Sequence, residues 1–516
     1  MTLAVALTGI GAAAPFFLTA GFTSALAGEK TMHIAMPFGP NSPVPDPRAR
    51  QNGWLSNRAG VSETLIGLSY DMELIPRLAQ AYENMSPTEW KLILRDGVKF
   101  HDGTPMTAES VKASFEKLGE EGHPAHNPRL LKLLALESVT VEDAHTLIFK
   151  TSKPNSAFLW ALTEPSAAVL KEGTDDLPII GTGPFAFVSA ETEKKYETRG
   201  FQDYWGGEPK LDRVVFNVIP DASVAALALQ ANDVDLVTNY PEQDFAALKE
   251  KGEGQLFSNE TARLFFYQLR TKDGPLANKA LRQALSLGLD RQLIVDATLA
   301  GVGGTPANGI FPANMASWYN TDLSLPFDPE KAKTLLDEAG ITDTDGNGIR
   351  EIDGKDLTVR IRTYEGRAAL RPTMEITQEL LKRIGIGVEI SMGEYAANND
   401  AVKSGEIQMN LQAWGTAPQG DPDYFPSTLV KSGASYNISG YENPELDALL
   451  EKGRSEFDDE VRRPFYEEIQ AIINEDLPLI PVFHKTQVSV GNGKVTGYRI
   501  HPAETYLATV DLDLEQ

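Results

Sequence analysis

Residues 90–118, WKLILRDGVKFHDGTPMTAESVKASFEKL, constrain the fold more tightly than any other stretch of the chain. Trp90, Leu92 and Leu94 alternate with Lys91, Ile93 and Arg95, a period of two that suits a strand. Asp96-Gly97 supplies the positive-φ positions of a tight turn, and Val98 and Phe100 carry the alternation back. Asp102-Gly103 makes a second turn. Thr107 is a good helix N-cap, with Glu109 in the first turn where the helix dipole favours it. Val111, Phe115 and Leu118 then share one helical face. The expectation is a hairpin feeding a capped amphipathic helix.

The head of the chain sets the compartment. Residues 1–27 carry no charged side chain and end in Ala25-Leu26-Ala27, a small-x-small cleavage site followed by Gly28-Glu29-Lys30. This is expected to be a secretory signal peptide lacking its basic segment. There is no cysteine, which excludes a lipid on a signal-peptide Cys, disulfides, thiolate metal sites and thiol catalysis. Export without an anchor fits a periplasm. The net charge of −25 is spread along the chain, so nucleic acid and anionic lipid should be repelled. The remaining length is enough for two or three domains with sizeable cores.

Short strands and capped helices follow one another in mixed order, which argues for α/β with α+β insertions. Along this order the segment Leu94-Arg95-Asp96-Gly97-Val98-Lys99-Phe100-His101-Asp102-Gly103-Thr104-Pro105 resembles the signature of the family 5 solute-binding proteins, the extracytoplasmic receptors of peptide, nickel and opine ABC importers. Other stretches resemble further family motifs in the right order. These are the segment from Asn57 to Leu65, expected to start a helix, then Leu74-Ile75-Pro76-Arg77-Leu78-Ala79, Ile180-Gly181-Thr182-Gly183-Pro184-Phe185, Tyr204-Trp205-Gly206-Gly207, Asp233-Val234-Asp235-Leu236, Lys279-Ala280-Leu281-Arg282-Gln283-Ala284-Leu285 and Leu479-Ile480-Pro481-Val482-Phe483-His484. The resemblance implies a two-lobed periplasmic binding protein of Venus-flytrap type. Lobe 1 would hold residues 28–269 plus 490–516, with an α+β subdomain inserted at about 76–180, and lobe 2 residues 270–489. It implies chain crossings near 265–275 and 484–492, ligand in the inter-lobe cleft, a monomer, and an ABC permease as partner.

Catalysis finds no support in the motifs. There is no Gly-x-Ser-x-Gly, HExxH, phosphate loop or G-x-G-x-x-G, and the seven histidines are scattered. No enzyme activity and no required cofactor are expected. Residues 343–354 place Asp343, Asp345 and Asn347 at alternate positions, then Gly348 and Glu351, like an EF-hand calcium loop; Gly354 stands where a bidentate Glu belongs. A structural calcium and an acidic turn both fit. His123 and His126, separated by Pro124, are a weaker metal pair.

The ligand candidates come from the resemblance. Trp414 stands where relatives place a cleft residue, and offers a flat apolar wall. Three residues on, Ala417 replaces the Asp that holds the amino terminus in peptide-binding members. The Trp414-Gly415…Ala417-Pro418…Asp421-Pro422 arrangement looks more like nickel-binding members, which adds Asp421 to the candidates. Arg362, on one strand face with Arg360 and Tyr364, aligns with an arginine that holds a ligand carboxylate in dipeptide-type relatives. Arg129 falls near a cleft arginine of nickel-type relatives, Arg58 is a third arginine, and Glu164 occupies the place of a second cleft arginine. The resulting expectation is a nickel or related metal chelate held through its carboxylates, with di- or oligopeptides and an opine-like amino-acid derivative as alternatives.

Overall fold

In the computed structural model, residues 29–49, 51–174 and 178–515 are described; the expected signal peptide lies outside them. Two long strands, Gln255–Leu269 and Leu479–Gly491, pair antiparallel and tie the molecule together. Their register breaks between Glu260 and Leu264, and the two sides of the break have different neighbours. On one side, Leu479–Gly491 pairs with Leu236–Val237, which continues through Thr31–Met36, Arg213–Val218, Lys195–Gly200 and Phe185–Glu191. On the other, Arg263 to Leu269 pair with Met409–Gly415, which continues through the parallel strands Thr358–Thr363 and Gly387–Met392. Each half is packed around its own core. Ile34, Tyr196 and Phe216 anchor the first, and Tyr267, Ile361 and Leu411 the second.

The inserted subdomain is a separate four-stranded antiparallel sheet, in the order Ala79–Ser86, Glu89–Leu94, Thr146–Thr151, Leu136–Asp143. Trp90, Leu92 and Leu94 are all buried along Glu89–Leu94, as the alternation requires. The turn at Gly97 forms with φ +75°, but 98–100 does not fold back on that strand. The partners of Glu89–Leu94 are the strands before and after it, and Val98 and Phe100 enter the subdomain core from a loop closed by a Lys99–Pro105 bridge. Thr107 caps the helix Ala108–Glu116 in a reciprocal box with Ser110.

Several family motifs converge beneath this loop. His101 is buried; the Gly181 N–H donates to its Nδ1 at 3.2 Å, so its Nε2–H donates to the Gly183 carbonyl at 3.0 Å. A Cβ at Gly183 would lie 2.1 Å from the Gly60 carbonyl oxygen, so only glycine permits this approach. Glu63 is buried and accepts from Arg77, Thr182, Tyr204 and Trp205 at 2.9–3.1 Å. Four stretches of resemblance are therefore one packing unit around one carboxylate.

Local signals set the ends of three helices, and one expectation is corrected. The helix Gln51–Arg58 ends where one was expected to begin, because Gly60 at φ +69° turns the chain. Asp221 caps Ala222–Gln230. Pro464 sits inside the helix Asp459–Asp476, whose start is fixed by the Asp458 cap.

Candidate functional site

The site is built where the two halves of the sheet meet. On the crossing strand Leu264 is the register partner of Trp414, and Arg263 that of Gly415. Trp414, half-buried, donates its indole N–H to the Tyr395 hydroxyl at 2.9 Å. Its ring meets Tyr436 edge-on with centroids 5.1 Å apart, and Tyr395 meets Tyr364 edge-on at 5.0 Å. Burial pushes the Tyr395 phenol up to about 12, so it stays protonated and able to donate. Four aromatic rings thus line one side of the crossing, with Tyr436 exposed.

Beside them lies a cluster of arginines. Arg263 grips Glu504 bidentately, Nε to Oε1 at 3.0 Å and Nη2 to Oε2 at 2.8 Å. Arg58, the last residue of its helix, donates Nε to the Glu504 carbonyl at 2.5 Å and Nη2 to Oε2 at 3.3 Å, and lies 5.0 Å over the ring of Phe38. Arg367 comes next, exposed, hydrogen-bonded to Tyr364, and without an ion-pair partner among the described residues. The neighbouring Arg263 charge lowers the affinity of Arg367 for its proton. Burial pushes Glu504 up, but Arg263 and Arg58 outweigh it and hold its carboxyl at about 2. Glu504 is set by the C-terminal segment: its N–H donates to the His501 carbonyl, His501 Nε2 meets the Ser69 carbonyl at 2.9 Å, and the Ala262 N–H binds the Pro502 carbonyl. The backbone at Glu504 is left-handed, φ +56°, an uncommon conformation for a non-glycine residue.

Of the residues expected from sequence, Trp414, Tyr364 and Arg58 are brought together here. Arg362 is not. It lies on the surface in an ion pair with Glu406 at 2.6 Å, and donates to Ser391. Arg129 is bound to Glu164, a buried carboxylate that also accepts from Ser166 at 2.7 Å and Gln419 at 2.9 Å. Asp421 is not brought to the crossing either: it and Arg462 are both buried in an ion pair, 2.8 Å apart. Ala417 is fully buried in the core.

In the acidic loop, ligand atoms of Asp343, Asp345 and Glu351 lie within 4.8 Å of one another. Asp343 accepts the Gly346 and Gly348 N–H groups, and Asp345 the Asn347 N–H, the bonding of an acidic turn. The Asn347 amide N points at Asp345 and Asp356 and donates to both.

Arg263, Arg367, Glu504, Tyr395 and Tyr436 escaped the sequence analysis. Arg263 had a usable signal, as the lone charge in the apolar run from Ala262 to Leu269. Two hollows lie elsewhere: one of about 300 Å³ beside Lys272, Arg282 and Tyr441, and one of about 260 Å³ beside Met72, Trp160 and Trp318. Neither gathers three arginines as the crossing does, so shape alone does not pick the site.

The family model described as bacterial extracellular solute-binding proteins, family 5 middle, matches residues 73–437. The chain is 30% identical over 465 residues to heme-binding protein A of Haemophilus influenzae, covering 83% of this chain and 82% of that one. It is 28% identical to the dipeptide-binding protein of Escherichia coli, covering 83% and 84%. Among solved structures, one described as a nickel ABC transporter from Bacillus halodurans superposes with a TM-score of 0.80 at 28% identity, covering 94% of this chain and all of that one. The chain belongs to the family 5 extracellular solute-binding proteins. Members of this family bind small solutes or peptides for ABC permeases. Among the described residues no helix is long and apolar enough to cross a membrane.

Proposed function

We propose that this protein is a non-catalytic periplasmic receptor that captures a small carboxylate-bearing solute and delivers it to an ABC permease, and that a metal chelate of the nickel type is the form its site fits best. The observation that carries this is the arginine cluster beside the aromatic wall: Arg58, Arg263 and Arg367 against a single carboxylate, next to Trp414, Tyr395, Tyr364 and Tyr436. Guanidinium forks match carboxylate geometry, and flat rings match a planar or compact chelate. No histidine stands among these residues, so a metal would arrive wrapped in its chelator. The relatives named for heme and for nickel support the same chemistry.

The lobes expected as 28–269 plus 490–516 and 270–489 are taken to hinge on the paired strands where their register breaks between Glu260 and Leu264, which moves 263–269 from lobe 1 to lobe 2. A short peptide is the second reading, favoured by the dipeptide-binding relative. Titration calorimetry with nickel–histidine and with a dipeptide tests the choice. Tighter binding of the chelate supports the first reading, and binding of the dipeptide alone replaces it with the second.

A further inference from the structure

We propose that Glu504 is a built-in counter-charge that sets the charge of the accepted solute, so that the site is matched to a doubly anionic carboxylate compound. This rests on the proposal that the cleft takes a carboxylate-bearing solute. Three guanidiniums face one carboxylate, which leaves two positive charges in a protein whose overall charge is strongly negative. The groups that act most on Arg367 are Arg263, Tyr364 and Glu504, so it belongs electrostatically to this cluster.

The roles within it differ. Glu504 satisfies both oxygens of its carboxylate with Arg263 and Arg58, so these two are already half neutralised. Among the described residues Arg367 is hydrogen-bonded only to a phenol, and it is exposed, so its fork is available to a first ligand carboxylate. A second carboxylate is drawn by the charge left over on Arg58 and Arg263. The left-handed backbone at Glu504 keeps the carboxylate aimed between them, and a carboxyl held at about 2 does not change charge in any physiological range. Glu504 thus subtracts a fixed charge from the site. A singly charged solute leaves an arginine unmatched, and a triply charged one brings an oxygen against Glu504.

The test is a charge series at fixed ionic strength, read by calorimetry. The metal-free arm uses glutaramate, glutarate and tricarballylate. The metal arm uses nickel nitrilotriacetate and nickel EDTA, singly and doubly negative. The wild type is expected to favour the dianion of each arm that binds by about tenfold over the monoanion. Glu504→Gln should shift the metal-free optimum to the trianion, and Arg367→Gln should shift it to the monoanion in either arm. Arg367 is exposed, so its variant decides the matter even where Glu504→Gln does not fold. Charge preferences that stay the same in the folded variants overturn the counter-charge proposal alone. Binding of no probe by the wild type removes the carboxylate reading, and this proposal with it. Preference for one arm identifies the source of the carboxylates and supports the proposal in either case.

Discussion

At the scale of single residues, the site separates groups that hold the fold from groups that face solvent. Asp421 and Arg462 are buried against each other, with Asp459 and the Gly453 carbonyl completing the arginine's partners and the Asp423 N–H donating to Asp421, so the pair belongs to the fold. Trp414 is different, half-buried and tied to the protein by one side-chain hydrogen bond. Trp414→Ala should weaken solute binding by about tenfold or more while moving the apo melting temperature by only about 2 °C. Calorimetry and thermal unfolding check both halves, and a variant that unfolds instead would make Trp414 a core residue. Trp414 was legible because a strand end carries it in a recognisable local run. Arg263 and Glu504 lie 241 positions apart, and nothing local in the sequence around Glu504 announces its partner. Arg362 was chosen for its alignment with a carboxylate-holding arginine of dipeptide-type relatives, but it pairs with Glu406, and the chain beyond the strand end at Thr363 sets Arg367 against Tyr364.

At the scale of elements, most strands and helices follow from alternation, caps and turns, because those signals are local. The errors fall where tertiary packing decides. The hairpin expected after Asp96-Gly97 gives way to strands that pair across the subdomain sheet. The close approach of the 180–185 segment to Gly60 and Val61 is the sharpest such constraint. Gly183→Ala places a carbon against a backbone carbonyl that cannot rotate aside, and should cost about 3 kcal/mol. Urea unfolding measures it. An unchanged midpoint would mean that this junction is looser than the contact implies.

At the scale of the whole molecule, three buried histidines make stability depend on pH. Burial lowers His101, His484 and His501 to about 4, although a backbone carbonyl opposes it in each case. They stay neutral in the fold and titrate near 6.5 once unfolded, so the unfolded chain binds more protons between those values. Stability should be level above pH 6.5 and fall as pH drops from there to about 4, by up to about 3 kcal/mol per histidine. Glu504 has the usual carboxylate sign, its contribution being full above 4.5 and lost as pH falls towards about 2. Urea midpoints from pH 8 to 4 test this, and His501→Gln should reduce the slope between pH 6.5 and about 4.

The central claim is that the crossing of the two lobes presents arginines and aromatic rings to a small carboxylate-bearing solute, best fitted by a metal chelate. Native mass spectrometry of the exported protein, taken directly from the cells that make it and paired with elemental analysis, tests this most directly. The expected result is a bound small anionic compound carrying nickel or a related metal, released when Arg263 is changed to Ala. A peptide mass with no metal would contradict the chelate, and a bound solute without any carboxylate would contradict the claim itself.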